Sequence, residues 1–322
     1  MSRTFVNQLT DGQGVNEVFL ASEKQLRPNR QGNLYLQVRL SDRTGMVTAM
    51  MWNADQKQFD GFENGDYVRI QGTSQLYNGG MQVIAKQVSR VSEADVVEDD
   101  FVTLSEAGVD EFVEQLRETL MGMRNVHLRG LAEMFLDDDK FMSKFKRAPA
   151  GIKNHHAYHG GLIEHVVSVI ELAVFVGNKY ERLDADLLVM GAFLHDSGKT
   201  EELRFERDLG YRDEGQLMGH MVMGVELLQE KILQLEQKTG GAFPEDLTTH
   251  LKHLVLSHHG QLEYGSPVLP MTLEAIALTQ IDNLDAKINS IAQLIDEDPN
   301  PSSSWTTYQP SLGRKIYKGN GG

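Results

Sequence analysis

Between residues 14 and 91 apolar and polar positions alternate in short runs: VNEVFLASEKQL, NLYLQVRLSD, GMVTAMMW, DYVRIQGTSQLY and MQVIAKQVSRV. Period-two alternation sends successive side chains to opposite faces, so each run reads as a half-buried strand. The gaps PNRQGN, DRTG, ENGD and YNGG are built from turn-forming residues. Five such strands in about 80 residues predict a small antiparallel barrel, with another small β-domain such as a sandwich as the alternative.

The period changes after the acidic stretch EADVVEDD (93–100). Thr103-Leu-Ser-Glu106 reads as a capping box, and apolar residues then recur at three- and four-residue steps to about residue 295. The layout predicted is a barrel over 1–92, a linker over 93–102, a helical connector over 103–150, an all-α domain over 151–295 and an irregular tail over 296–322. The tail contains Trp305, Tyr308 and Tyr317, which suggests that part of it docks. The fold class is therefore multidomain α and β.

Ionisable residues interrupt the apolar faces. In GLIEHVVSVIELAVFV (161–176) the buried face runs through Leu162, Val166, Val169, Ala173 and Val176, and His165 falls on it. QLMGHMVMGVELLQEKI (216–232) places His220 three residues after Leu217 and four before Gly224. His258 follows Leu254 by four, and Asp282 follows Leu278 by four. The apolar run LLVMGAFL (187–194) leads straight into His195-Asp196. A lone inward histidine is commonly a satisfied core residue, but burying an unpaired carboxylate costs several kcal/mol. Convergence on a shared divalent cation resolves the conflict, because it neutralises the carboxylates and uses the imidazoles. Imidazole nitrogen and carboxylate oxygen suit Mn first, with Co, Fe, Ni, Mg or Zn as alternatives, and two carboxylates suit a pair of ions.

Composition narrows the chemistry further. The chain has no cysteine, which excludes disulfides and thiolate metal sites. No sequence run was expected to span a membrane, and the first residues lack a secretory h-region, so a cytoplasmic protein is expected. The net charge of −15 argues against nucleic acid as partner. It is unevenly spread, however: residues 1–92 hold ten Lys/Arg against eight Asp/Glu. Global charge therefore does not decide the question.

The series His165, His195-Asp196, His220, His258, Asp282 on a helical scaffold, with HDSGK at 195–199, resembles the HD-domain metal-dependent phosphohydrolases. HHAYHGGLIEH, LLVMGAFLHDSGK, EGQLMGHMVMG, LSHHGQLEYGSPVLP, DNLDAK and the tail WTTYQPSLGRKIYKG are similar to the bacterial 3′–5′ exoribonuclease family YhaM. His159 stands where that family leads one to expect an apolar residue, and it is left out of the ligand set.

The resemblance implies an OB-fold before an HD domain, and hydrolysis of single-stranded RNA, with single-stranded DNA as a further substrate, by two metal ions. It implies His165, His195, Asp196 and Asp282 around one ion, with Asp196 bridging to a second completed by His220 and His258. His259 would support the ligands or hold a substrate phosphate. Lys199 would face phosphate charge or, alternatively, complement a helix C-terminus. His156 would hold a phosphate or protonate the leaving oxygen, and GSPVLP (265–270) would shape the pocket. In the barrel Tyr35, Trp52 and Tyr77 are candidates for base stacking or for core, with Arg39, Arg43 and Arg69 beside them. Trp52, near a strand end, is the leading base platform.

A homo-oligomer is compatible with this reading, with the helical face of 103–145 as a source of interface; a membrane partner is not expected. Two other functions fit the same pattern. One is an HD-domain hydrolase of nucleotides or cyclic nucleotides. The other is a single-strand-binding regulator with an inert HD fold.

Overall fold

The computed structural model describes residues 3–77, 80–97, 100, 101, 104–151, 158–205, 209–296, 298 and 303–319. Among them, those within Met1–Thr103 and Ile291–Gly322 form one compact unit, and those within Leu104–Phe205 and Leu209–Ser290 the other.

In the first unit β1 (Gly14–Pro28), β2 (Leu34–Asp42), β3 (Gly45–Trp52), β4 (Tyr67–Tyr77) and β5 (Gly80–Arg90) close into a barrel in the order β1-β2-β3-β5-β4. The pairings are antiparallel except β3 with β5, which is parallel. Five strands curl this tightly only if some of them bend. β1 shifts register between Ser22 and Gln25, where Glu23 takes a positive φ. β4 shifts at Gln71/Gly72, where a Cβ would stand 2.3 Å from the Ile84 carbonyl oxygen, so only glycine fits. The alternation then sorts the faces: Phe19, Leu36, Val38, Leu40, Ala49, Val68, Ile70 and Val83 fill the interior. The one-turn helix α1 (Gln56–Phe59), capped by Asp55, connects β3 to β4.

The second unit opens with α2 (Glu106–Met121), α3 (Val126–Leu136) and α4 (Asp139–Arg147). Its first cap is Ser105, whose Oγ accepts from Gly108 N at 3.2 Å; Thr103, expected to open the capping box, lies outside the described residues. Then follow α5 (Gly161–Lys179), α6 (Ala185–Leu194), the one-turn α7 (Lys199–Glu202), the two-residue strands β6 (Leu203–Arg204) and β7 (Gly210–Tyr211), α8 (Asp213–Met218), α9 (His220–Thr239), α10 (Glu245–Ser257) and α11 (Leu273–Asp296).

α6 is the axis of this unit. Residues Leu187 to Leu194 are all buried, which is why LLVMGAFL shows no helical period: a helix covered on every side needs no polar face. Phe193 packs edge-on against Phe135 and Phe145, at centroid distances of 5.5 and 5.8 Å. Each fully buried Leu, Val or Phe contributes about 1.5–3 kcal/mol. This packing therefore offsets the several kcal/mol that it costs to carry His195 and Asp196 into the same interior.

α5 differs from the sequence expectation in one respect. By length and composition it is apolar enough to cross a membrane, although half of its apolar window is buried inside this unit. Its buried residues include His165, so the helix serves as a wall of the core.

The tail also differs. Residues 303–319, expected to be irregular, carry antiparallel bridges Trp305↔Tyr317 and Gln309↔Arg314.

Candidate metal centre

Three helix ends and two helix faces meet at one buried cluster. α6 and α10 end at His195 and His258, which serve as their C-caps; their last carbonyls make that end of each helix partly negative, which favours a cation nearby. α9 begins at His220. His165 projects from α5 and Asp282 from α11.

His220 keeps its four-residue spacing to the buried Gly224 within α9, but the spacing to Leu217 does not hold. The segment 216–232 is not one helix: Gly219 (φ 77°, ψ 152°) separates α8 from α9, and Leu217 is 86% exposed. The inward aim comes also from Glu202, whose Oε1 accepts the His220 backbone N–H at 3.1 Å and whose Oε2 lies 3.2 Å from Nδ1.

All five imidazoles are held the same way round. Nδ1 of His195, His258 and His259 meets a backbone carbonyl, Ala192 O at 2.8 Å, Val255 O at 2.8 Å and Tyr264 O at 2.7 Å. A carbonyl only accepts, so each of these nitrogens carries the hydrogen. Nδ1 of His165 meets Asp285 Oδ2 at 2.8 Å, and that of His220 meets Glu202. In its neutral form each ring then offers Nε2 as a lone pair. His165, held beside Asp282 and Asp285, reaches that form by giving up its Nε2 proton to make room for a cation.

Those lone pairs face one another and the carboxylates. His165 Nε2 lies 3.3 Å from His195 Nε2 and 3.3 Å from Asp282 Oδ1, and Asp196 Oδ2 is 3.7 and 3.4 Å from the two rings. On the other side Asp196 Oδ1 is 3.5 Å from His220 Nε2 and 3.6 Å from His258 Nε2. His259 joins this second group, with one ligand atom from each of the three histidines within 4.8 Å of the others. Asp196 Oδ1, His220 Nε2 and His258 Nε2 are all buried without a hydrogen-bond partner. Acceptors that converge without a donor fit a cation. Ligands about 2.1 Å from a tetrahedral ion stand about 3.4 Å apart, close to the separations found here.

The electrostatics agree. Burial pushes the His165 pKa down, but hydrogen bonds to Asp282 and Asp285 outweigh it and raise it to about 9. Burial would raise Asp196 and Asp282; Lys199 and His195 hold the first well below the ordinary range, and His165 and His195 do so for the second. His258 and His259 are pushed down, chiefly by burial, so both favour the neutral form that ligates. The cluster attracts positive charge.

Lys199 begins the one-turn α7. Its Nζ lies 2.6 Å from Asp196 Oδ2 and 2.6 Å from Ala150 O. Gly198 explains the break in HDSGK: a Cβ there would stand 1.9 Å from the His220 carbonyl oxygen and 2.6 Å from Gly224 N. The turn after Asp196 thus presses against the first turn of α9. His156 lies outside the described residues. His159 is half-buried, with Nδ1 3.4 Å from Arg147 O. In GSPVLP, Ser266 is buried and its Oγ has no hydrogen-bond partner.

Three contributors escaped the sequence reading: Asp285, Glu202 and Ser168, whose Oγ donates to Asp285 Oδ1. Spacing held a signal for two of them, since Asp285 and Ser168 each follow a site residue by three, one helical turn.

On the barrel, Trp52 is the last residue of β3 and 50% exposed; Tyr35 pairs with it across the β2–β3 ladder, ring centroids 5.4 Å apart. Neither lies in the core. Arg39 shares that outer face and pairs with Glu23 at 3.2 Å. Tyr77, 59% exposed, ends β4. Arg69 lies within β4 with its side chain exposed on the outer face, and Arg43 stands over Phe5.

A closed five-stranded barrel and a helical unit with a His/Asp cluster define a protein of OB-fold plus HD-domain architecture. The family model described as OB-fold nucleic acid binding domain matches residues 20–91, and that of the HD domain matches residues 162–287. The chain is 34% identical over 267 residues to the 3′-5′ exoribonuclease YhaM of Geobacillus sp. (strain WCH70), covering 83% of this chain and 80% of that protein. It is 32% identical over 286 residues to the 3′-5′ exoribonuclease YhaM of Bacillus subtilis (strain 168), covering 88% of each. This chain belongs to the YhaM family.

Proposed function

We propose that this protein is a metal-dependent 3′–5′ exoribonuclease: the His/Asp cluster hydrolyses phosphodiesters at the end of single-stranded RNA, and the barrel holds the strand. The observation that carries the reading is the convergence of Asp196 Oδ1, His220 Nε2 and His258 Nε2, buried and unpartnered. His165, His195, Asp282 and Asp196 Oδ2 would hold one divalent cation, and Asp196 Oδ1, His220, His258 and His259 a second. Nitrogen and oxygen donors without a thiolate make manganese the leading ion.

A bound divalent ion supplies Lewis acidity toward phosphoryl oxygens and lowers the pKa of water. The chain does the rest. Asp285 and Glu202 lock the tautomers of His165 and His220. Lys199 fixes Asp196 and adds positive charge where a phosphate would gather. On the barrel, the tilted Tyr35–Trp52 pair beside Arg39 suits base stacking and backbone contact.

The test is an RNA oligomer labelled at either end, incubated with Mn²⁺. A 5′ label is expected to give a ladder of shortening fragments and a 3′ label only released mononucleotide, with both reactions stopped by a chelator. Hydrolysis confined to free nucleotides would overturn the reading. The same assay on DNA settles the second substrate.

Asp285→Asn is expected to weaken Mn²⁺ binding about 10- to 100-fold in a calorimetric titration, as when a carboxylate behind a ligand histidine is lost. Unchanged affinity would show that His165 needs no anchor.

A further inference from the structure

The C-terminal hairpin carries a second surface suited to a nucleic-acid strand. Its order is built in. Thr306 N donates to Ile316 O at 2.9 Å, and Lys318 N to Ser304 O at 2.8 Å. The turn closes through Leu312 N to Gln309 O at 3.1 Å, with Gly313 at φ 62°. Asp298 ties both arms: one carboxylate oxygen accepts from Thr307 N at 2.9 Å, and the other pairs with Lys318 Nζ at 2.9 Å.

This frame displays large rings to solvent. Trp305, Tyr308 and Tyr317 are 49%, 57% and 52% exposed, although Thr306 between them is buried. Trp305 and Tyr317 are direct partners in a bridge, so they share a face, with ring centroids 5.0 Å apart and tilted by 57°. Arg314 and Lys315 beside the turn are exposed and form no ion pair among the described residues. The acids nearest in the chain, Asp296 to Asp298, precede the hairpin, and Asp298 pairs with Lys318, which leaves Arg314 and Lys315 as its cations without an ion pair among the described residues.

Aromatic faces beside uncompensated cations are the two ingredients of single-strand binding, one stacking on bases and the other neutralising phosphates. We propose that the hairpin of residues 303–319 is a binding element for single-stranded RNA in its own right, with Trp305, Tyr308 and Tyr317 stacking on bases and Arg314 and Lys315 on the phosphate backbone. The proposal rests on the reading of the protein as a single-strand exoribonuclease and adds a second place where it grips its substrate.

The experiment is fluorescence anisotropy with the full chain and a labelled 20-nucleotide RNA in chelator, where no hydrolysis occurs, at several salt concentrations. The double variant Arg314→Gln/Lys315→Gln is expected to make the slope of log K against log salt shallower by about 1.4, two phosphate contacts on a single strand. Trp305→Ala is expected to bind about ten-fold more weakly at fixed salt. The exposed glutamine pair keeps the test meaningful if Trp305→Ala loosens the hairpin. Wild-type slope and affinity in both variants, in a protein whose parent degrades RNA, would overturn this inference alone. So would a change of sedimentation without a change of RNA binding, which would mark the hairpin as a self-association surface. A parent chain that neither binds nor degrades RNA would overturn the exoribonuclease reading itself.

Discussion

Asp196→Asn is expected to lower RNA hydrolysis by about 10³-fold or more while the fold survives. Among the described residues Asp196 is the side chain whose two oxygens serve the two halves of the cluster, Oδ2 toward His165 and His195 and Oδ1 toward His220 and His258. An amide keeps the shape but removes a charge and turns one of its two acceptors into a donor. Whichever way it sits, one group of lone pairs then faces an N–H. The fold should hold because Lys199 keeps Ala150 O as a partner and one orientation of the amide leaves oxygen in place of Oδ2. The check is hydrolysis of 5′-labelled RNA with Mn²⁺ beside a circular-dichroism melt. A native melt with substantial residual hydrolysis would remove Asp196 from its bridging place.

The other large effect comes from one methyl group. Gly198→Ala is expected to destabilise the helical unit by about 3 kcal/mol, the upper range of overpacking penalties, and to remove activity with it. The added Cβ meets main-chain atoms, His220 O at 1.9 Å and Gly224 N at 2.6 Å, rather than a side chain that could swing away. Relief requires either the turn after Asp196 or the start of α9 to retreat. Both movements separate Asp196 from His220. Denaturant unfolding measures the first effect and Mn²⁺ titration the second. An alanine variant with wild-type stability and metal affinity would mean that the close approach is not needed.

The alternation of the first ninety residues made the barrel legible because a strand shows its inward face at every second position. The closure itself depends on the bends at Ser22–Gln25 and at Gly72 and on the pairing of β1 with β4 and of β3 with β5, strands that are not consecutive in the chain. Trp52 illustrates the limit: its place at a strand end could be read, but its exposure depends on what packs around the barrel.

In the helical half His165, His195, Asp196, His258 and Asp282 were readable as ionisable residues on apolar faces, since charge at such positions conflicts with burial unless something neutralises it. His220 was singled out by two spacings, of which the one to Gly224 operates within α9 and the one to Leu217 does not, because Gly219 restarts the helix. Asp285, Glu202 and Ser168 were missed because polar residues on helices are ordinarily solvated. Only the packing of α11 on α5, and of α7 against α9, reveals which of them is buried against a ring nitrogen.

Local periodicity by itself determined the two kinds of secondary structure, the switch between them and the identity of most groups in the cluster, because hydrophobic spacing is a property of neighbours along the chain. The direction of each imidazole, the sharing of Asp196 between two sets of nitrogens and the exposed aromatic face of the tail were decided by tertiary contacts. They depend on distances between residues up to 120 positions apart, which no local pattern encodes.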